Sequence, residues 1–195
     1  MSIHLILGGA RSGKSAYAEK LAIESGLPVT YIATAQIYDD EFKARVQHHK
    51  DRRPDNWKIV EEPHYLSAAL HANTHVVSEA SKLATTKPVQ LERCVIIDCL
   101  TLWLAQCICP ECLPAKGVDW PAQREDFLAQ LVIFQELSQD KCLILVSNEV
   151  GMGIVPLGEI NRQFQDEQGR LNQAVAQIAD KVSFIAAGLP LKLKG

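Results

Sequence analysis

The chain has 195 residues, 47% hydrophobic and 22% charged, with 20 basic against 23 acidic side chains and a formal net charge of −3. These values fit one globular domain over 1–195 and exclude a disordered, collagen-like or rod-like protein. The slight acidity argues against nucleic acid as the main partner, because counterion-release binding calls for a basic surface. No run of about 18 or more apolar residues is present to span a membrane. The start, Met1-Ser2-Ile3-His4, has neither the basic region nor the long apolar core of a secretory signal. A cytoplasmic protein is expected, with its six cysteines as thiols rather than a disulfide framework.

Short apolar runs alternate with helical patterns along the chain, which predicts a parallel sheet covered by helices. Residues 3–7 form a compact apolar run bounded by Gly8-Gly9 and read as a central strand. Residues 14–25 carry helix formers. Gly26 suits the position after the helix end, and Pro28 prevents continuation. Residues 29–34 read as a second strand. Asp39 caps a predicted helix through about Lys50, and 57–60 read as a short third strand. A helix begins at Leu66, Ala69 and Leu70, but the stretch to Gln90 has no clear pattern. Residues 94–99 are a buried strand ending in Asp98, 100–108 a short helix, and 109–121 a proline-containing loop. A stripe of Phe127, Leu131, Phe134 and Leu137 predicts a helix, followed by a strand over 142–147 and a loop over 148–156. Ile160, Phe164, Leu171, Val175 and Ile178 mark a long helix weakened at Gly169. A strand over 182–187 follows. Gly188-Leu189-Pro190 then turns the chain into an antiparallel edge over 191–194.

Gly8-Gly9-Ala10-Arg11-Ser12-Gly13-Lys14-Ser15 matches G-x-x-x-x-G-K-[ST] in full, between a strand and a helix. The glycines let the backbone curve with its N–H groups pointing at phosphate, and the helix that follows adds its positive end. Lys14 would reach the β- and γ-phosphates as a catalytic cation, and Ser15 would hold Mg²⁺. Asp98, at a strand end, is the candidate for completing that Mg²⁺ site. Alternatively it caps the next helix.

His48 and His49 end the predicted 39–50 helix, with Lys50, Asp51, Arg52 and Arg53 after them. Phe42 and Val46 mark the buried face, so His49 is placed for packing and His48, about 100° round, for solvent or ligand. The group has two readings. One is a solvated helix end with cations against the dipole, the simpler on spacing alone. The other is a neutral imidazole that attacks phosphorus.

Taken with Tyr31-Ile32-Ala33-Thr34-Ala35, Asp39-Asp40-Glu41, Arg45-Val46-Gln47-His48-His49-Lys50 and Arg53-Pro54, these features resemble a known family. Trp57, Ile97-Asp98-Cys99-Leu100-Thr101, Ser147-Asn148-Glu149-Val150-Gly151-Met152-Gly153-Ile154-Val155-Pro156 and Gly169-Arg170-Leu171-Asn172-Gln173 add to the resemblance. The family is the bifunctional adenosylcobinamide kinase / adenosylcobinamide-phosphate guanylyltransferase of cobalamin (vitamin B12) biosynthesis, and the matches run in order over nearly the whole chain. The resemblance implies two reactions. ATP or GTP phosphorylates the hydroxyl of adenosylcobinamide; then a histidine, which carries over to His48, takes GMP from GTP and passes it to the new phosphate. It also implies nucleotide contacts at the phosphate loop, Ala33, Thr34, Ala35, His49, Lys50, Asp51, Arg52, Arg53, Glu61 and Asp98, and a homotrimer. The expected fold is a three-layer α/β P-loop domain of the RecA-like kind, mostly parallel with an antiparallel C-terminal edge.

Several acids and cysteines stay open. Glu62 reads as a solvent-facing acid. Glu149 orders substrate or metal, or caps its loop. Arg170 and Asn172 bind phosphate or support a subunit contact. Cys107, Cys109 and Cys112 form a reduced loop or three of the four ligands a structural Zn²⁺ wants. Two other functions compete with the family reading: a P-loop kinase of another small alcohol, which leaves His48 idle, and a non-enzymatic nucleotide switch. The missing Asn-Lys-x-Asp signature counts against the switch.

Overall fold

The structure is a computed structural model and describes residues 2–36, 47, 53–74, 93–114, 116–137 and 140–195. The predicted 39–50 helix lies outside these residues apart from the helical Gln47, and so do His48, His49, Lys50, Asp51 and Arg52. The unclear stretch also falls outside from residue 75 to residue 92.

The elements in chain order are β1 (Ser2–Gly8), α1 (Lys14–Glu24), β2 (Val29–Ala33), β3 (Lys58–Glu61), α2 (Leu66–Thr74), β4 (Cys94–Asp98) and α3 (Leu100–Ile108). A 3₁₀ turn, Pro110–Cys112, precedes α4 (Trp120–Leu137), β5 (Cys142–Val146), α5 (Glu159–Ile178), β6 (Lys181–Ala186) and β7 (Leu189–Lys194). The seven strands form one sheet in the order β3-β2-β4-β5-β1-β6-β7. Every pairing is parallel except β6 with β7. β5 separates the phosphate-loop strand β1 from the Asp98 strand β4, the arrangement of the RecA-like branch of P-loop domains.

Period-two alternation sends side chains to two helical layers. Ile3, Leu5, Leu7, Val95, Ile97, Leu143 and Leu145 pack with α2, α3, α4 and α5 through Leu66, Trp103, Phe127 and Leu171. Ile6, Tyr31, Ile96, Ile144 and Val146 pack on the other face with Ala18 and Ala22 of α1 and with Trp57. Both faces are covered, so the central strands are continuous apolar runs, as parallel sheets require.

Predicted boundaries hold to within a residue or two at these strands, and α5 runs unbroken through Gly169. Gly26 takes φ 64, as a glycine just beyond a helix end does. The turn from β6 to β7 has two residues, Ala187 and Gly188, with φ 51 and 80. That is the primed turn whose twist suits a hairpin.

Candidate functional site

Strand register lines up the carboxyl ends. Ala33 is opposite both Glu61 and Asp98, Asp98 is opposite Val146, and Val146 is opposite Ile6. At about 4.8 Å per strand, Asp98 stands about 10 Å from Ile6 along this row and Glu61 about 19 Å. Ligands of open α/β sheets bind outside this edge. The phosphate loop leaves it at Gly8.

Neighbouring strands shape that loop. A Cβ on Gly8 would lie 2.4 Å from the carbonyl oxygen of Ile185 in β6, and Gly8 has φ 152. The Gly8 carbonyl accepts from the N–H of Glu149, and the Ser12 carbonyl accepts from the N–H of Gly188 in the hairpin turn, at 3.0 and 2.8 Å. Arg11 adopts φ 55 between these anchors. Gly13 precedes α1 without a side-chain cap, so the first-turn N–H groups face the loop, as anion binding requires. Ala10 and Arg11 are exposed, and Ser15 is half-buried in the first turn of α1.

Lys14 is buried, and its ammonium donates to the Gly9 carbonyl at 2.5 Å. Burial holds its pKa below the ordinary lysine value, against the opposing pull of the Cys99 and Asp98 side chains. Lys14 and Asp98 thus sit at the same edge of the sheet, two strands apart. The Ser12 hydroxyl is buried without a hydrogen-bond partner among the described residues. A hydroxyl, a carboxylate and a lysine at one strand edge are a hard-oxygen and cation set that suits a Mg²⁺–triphosphate. Ser15 and Asp98 would hold the metal.

Asp98 is held from β2. The Tyr31 hydroxyl donates to its Oδ2 at 2.6 Å. Tyr31 is buried, and burial, then the Asp98 charge, pushes its pKa well above the usual phenol value, keeping the hydroxyl a donor. Thr34 staples the next turn. Its hydroxyl donates to the Cys99 carbonyl at 2.7 Å and accepts from the Cys99 N–H at 2.8 Å. Its own N–H donates to the Asp98 carbonyl at 3.2 Å. Ala33 and Ala35 flank this fully buried threonine and are half-buried. Burial pushes the Cys99 thiol up to about 12. Arg53 lays its guanidinium carbon 3.6 Å from the Tyr31 ring centroid.

Other residues settle into support. Glu62 orders the turn that leads into α2, its Oε1 accepting from the N–H groups of His64 and Tyr65 at 2.9 and 2.8 Å. It is therefore not simply a solvent-facing acid. Glu149 caps its own loop through the Gly151 N–H at 2.5 Å. Arg170 pairs with Glu167 at 2.6 Å. Asn172 belongs to a buried polar cluster: its Oδ1 accepts from the Ser147 hydroxyl at 2.7 Å and from Gln168 at 3.0 Å, and its Nδ2 donates to the Asn148 carbonyl. Thr101 joins through the Asn148 N–H at 2.7 Å. Arg170 and Asn172 are thus engaged within the chain. Among the described residues no group of three metal-type side chains gathers. The Cys112 thiol lies 2.7 Å from Cys109, and Cys107 is buried elsewhere, against the His64 carbonyl. Tyr31, the hairpin anchor at Gly188 and the Ser147–Asn172 cluster were missed by sequence reasoning. A tyrosine within an aliphatic strand and polar residues at a buried strand end were the available signals.

A phosphate loop on a central strand, with a carboxylate two strands away and a buried lysine between, defines a P-loop nucleotide-binding domain. The family model for cobinamide kinase / cobinamide phosphate guanyltransferase matches residues 4–193. The chain belongs to that family and is a kinase and guanyltransferase of cobalamin biosynthesis. It is 47% identical over 191 residues to the bifunctional adenosylcobalamin biosynthesis protein CobP of Pseudomonas aeruginosa, covering 98% of this chain and 96% of that one. It is 35% identical to the bifunctional protein CobU of Salmonella typhimurium and 34% identical to CobU of Escherichia coli, covering 97% of this chain and 98% of the relative in both cases. No helix among the described residues is long and apolar enough to cross a membrane.

Proposed function

We propose that the chain phosphorylates the free hydroxyl of adenosylcobinamide and then joins GMP to the phosphate just made. In the first step the hydroxyl attacks the γ-phosphorus of ATP or GTP, and the nucleoside diphosphate leaves. Lys14 and the loop N–H groups take the charge that develops on the phosphoryl oxygens, so the protein contributes positioning and neutralisation. Mg²⁺, held through Ser15 and Asp98, would neutralise phosphate charge there. In the second step the His48 imidazole attacks the α-phosphorus of GTP and expels pyrophosphate. The phosphate oxygen of adenosylcobinamide phosphate then displaces His48, giving adenosylcobinamide-GDP and restoring the imidazole. His49, Lys50, Asp51, Arg52, Arg53 and Glu61 complete the nucleotide contacts.

Lys14 on the phosphate loop, with Asp98 two strands away at the same sheet edge, is the observation that carries this reading. One triphosphate region then serves both reactions. The protein works in the cytoplasm as a homotrimer. In support of the trimer, Leu189, Leu191 and Leu193 of β7 and Met152, Ile154 and Leu157 beside the site are exposed. Incubation with α-labelled GTP and Mg²⁺ should leave one GMP on the histidine peptide, in an acid-labile, base-stable linkage. His48→Ala should take up none while still phosphorylating adenosylcobinamide. Undiminished labelling of the mutant would reject His48 as the nucleophile.

A further inference from the structure

Tyr31 has two different polar partners. Its Cα lies in β2 opposite Ile96, two residues before the level of Asp98, and the phenol reaches forward along the sheet to that carboxylate. The side chain is 1% exposed. Trp57 packs near-parallel to its ring, with centroids 6.3 Å apart and planes at 25°. The ring therefore has little room to turn, and the hydroxyl meets Oδ2 at 2.6 Å in a fixed place. One carboxylate oxygen is taken and Oδ1 is left for a cation.

The ring also seats Arg53, whose guanidinium carbon is 3.6 Å from its centroid. This is close enough for a cation–π contact. The Nε and Nη1 atoms of Arg53 are buried and have no hydrogen-bond partner among the described residues. Buried guanidinium N–H groups without acceptors are costly, and a phosphate offers the oxygens that a planar fork fits. The orphaned donors thus point to an anion beside the carboxylate that would take its counter-cation.

We propose that Tyr31 is the positioning residue of the nucleotide site, its hydroxyl fixing Asp98 for the metal and its ring holding Arg53 toward the phosphates. The proposal rests on the reading of Asp98 as the metal carboxylate. Outer-shell partners of metal ligands typically change metal affinity 10–100-fold when removed. The two arms separate chemically, because phenylalanine keeps the ring and loses the hydroxyl, whereas leucine loses both.

Isothermal titration of the full chain reads both arms, with GTP in the presence of EDTA and with Mg²⁺ added to the GTP-loaded protein. Tyr31→Phe should bind metal-free GTP as the wild type does but bind Mg²⁺ about 10-fold more weakly. Excess Mg²⁺ should restore its kinase rate. Tyr31→Leu should in addition lose metal-free GTP affinity, to the level of Arg53→Gln. Asp98→Asn serves as the reference for the metal. If Asp98→Asn weakens Mg²⁺ binding and Tyr31→Phe does not, the hydroxyl has no positioning role and the proposal is overturned. If neither weakens it, the metal reading of Asp98 falls and the proposal with it. If Arg53→Gln weakens metal-free GTP binding while Tyr31→Leu does not, the ring has no part in seating Arg53.

Discussion

Two glycine-containing loops leave the same edge of the sheet and are built in opposite ways. The phosphate loop after β1 is anchored at both ends, by Glu149 at Gly8 and by Gly188 at Ser12. The loop over 148–156 is anchored at its stem, through the Ser147–Gln168–Asn172 cluster and the Glu149 cap. Its tip instead leaves Met152, Ile154 and Val155 exposed. The difference separates a backbone cradle shaped before any ligand arrives from a surface whose apolar side chains the chain itself does not cover. Preorganisation suits the first, because phosphate is recognised by N–H groups whose directions must be set in advance.

Glycine substitution tests the contrast most severely. Gly8→Ala forces a Cβ to within 2.4 Å of the Ile185 carbonyl oxygen at φ 152. It should cost about 3 kcal/mol or more and abolish nucleotide binding. Gly153 has nothing within 4 Å of its added Cβ, so Gly153→Ala should change stability by under about 0.5 kcal/mol. Denaturant titration of both variants checks this, and equal losses would break the comparison.

Acid should act on the stem of the phosphate loop. His4 of β1 is buried against the Ser183 hydroxyl of β6 at 2.9 Å, and burial, then Lys181, lowers its pKa from 6.5 to about 4. The unfolded chain therefore binds more protons between those values, and stability rises with pH in that window. The contribution is fully present above pH 6.5 and is lost as pH falls toward 4, by up to about 3 kcal/mol. Denaturation midpoints measured from pH 7 to pH 4 should show this slope, and His4→Gln should flatten it.

The stem of the second loop should respond less. Asn172→Ala removes an acceptor from Ser147 and Gln168 and a donor from the Asn148 carbonyl. It should cost about 1–3 kcal/mol, as loss of a buried hydrogen-bond partner does, with little change in metal-free GTP affinity. Thermal melts and calorimetry together distinguish that outcome from damage to the phosphate loop.

Much of the fold was legible because its signals are local. Apolar runs such as Val95-Ile96-Ile97, turn residues such as Gly26 and Gly188, and the helical stripe at Phe127, Leu131 and Phe134 each state their own structure. The phosphate loop was legible for the same reason. What could not be read is what needs partners distant in sequence. Tyr31 meets Asp98 across 67 positions and Ser147 meets Asn172 across 25, and nothing near either residue encodes the contact. Glu62 was misread because its partners are backbone N–H groups, which every residue but proline offers. Arg170 and Asn172, which the sequence left open between phosphate and a subunit contact, have partners within the chain in Glu167 and Ser147.

The clasp between Ser12 and Gly188 bears on how the protein is made. β1 leaves the ribosome well before its sheet neighbours β5 and β6, which begin only at Cys142 and Lys181. Until those strands follow, the phosphate-loop segment lacks the neighbours that shape it. Pairings this distant in sequence close slowly. Competence for nucleotide therefore waits until the β6–β7 hairpin emerges and closes on the phosphate loop.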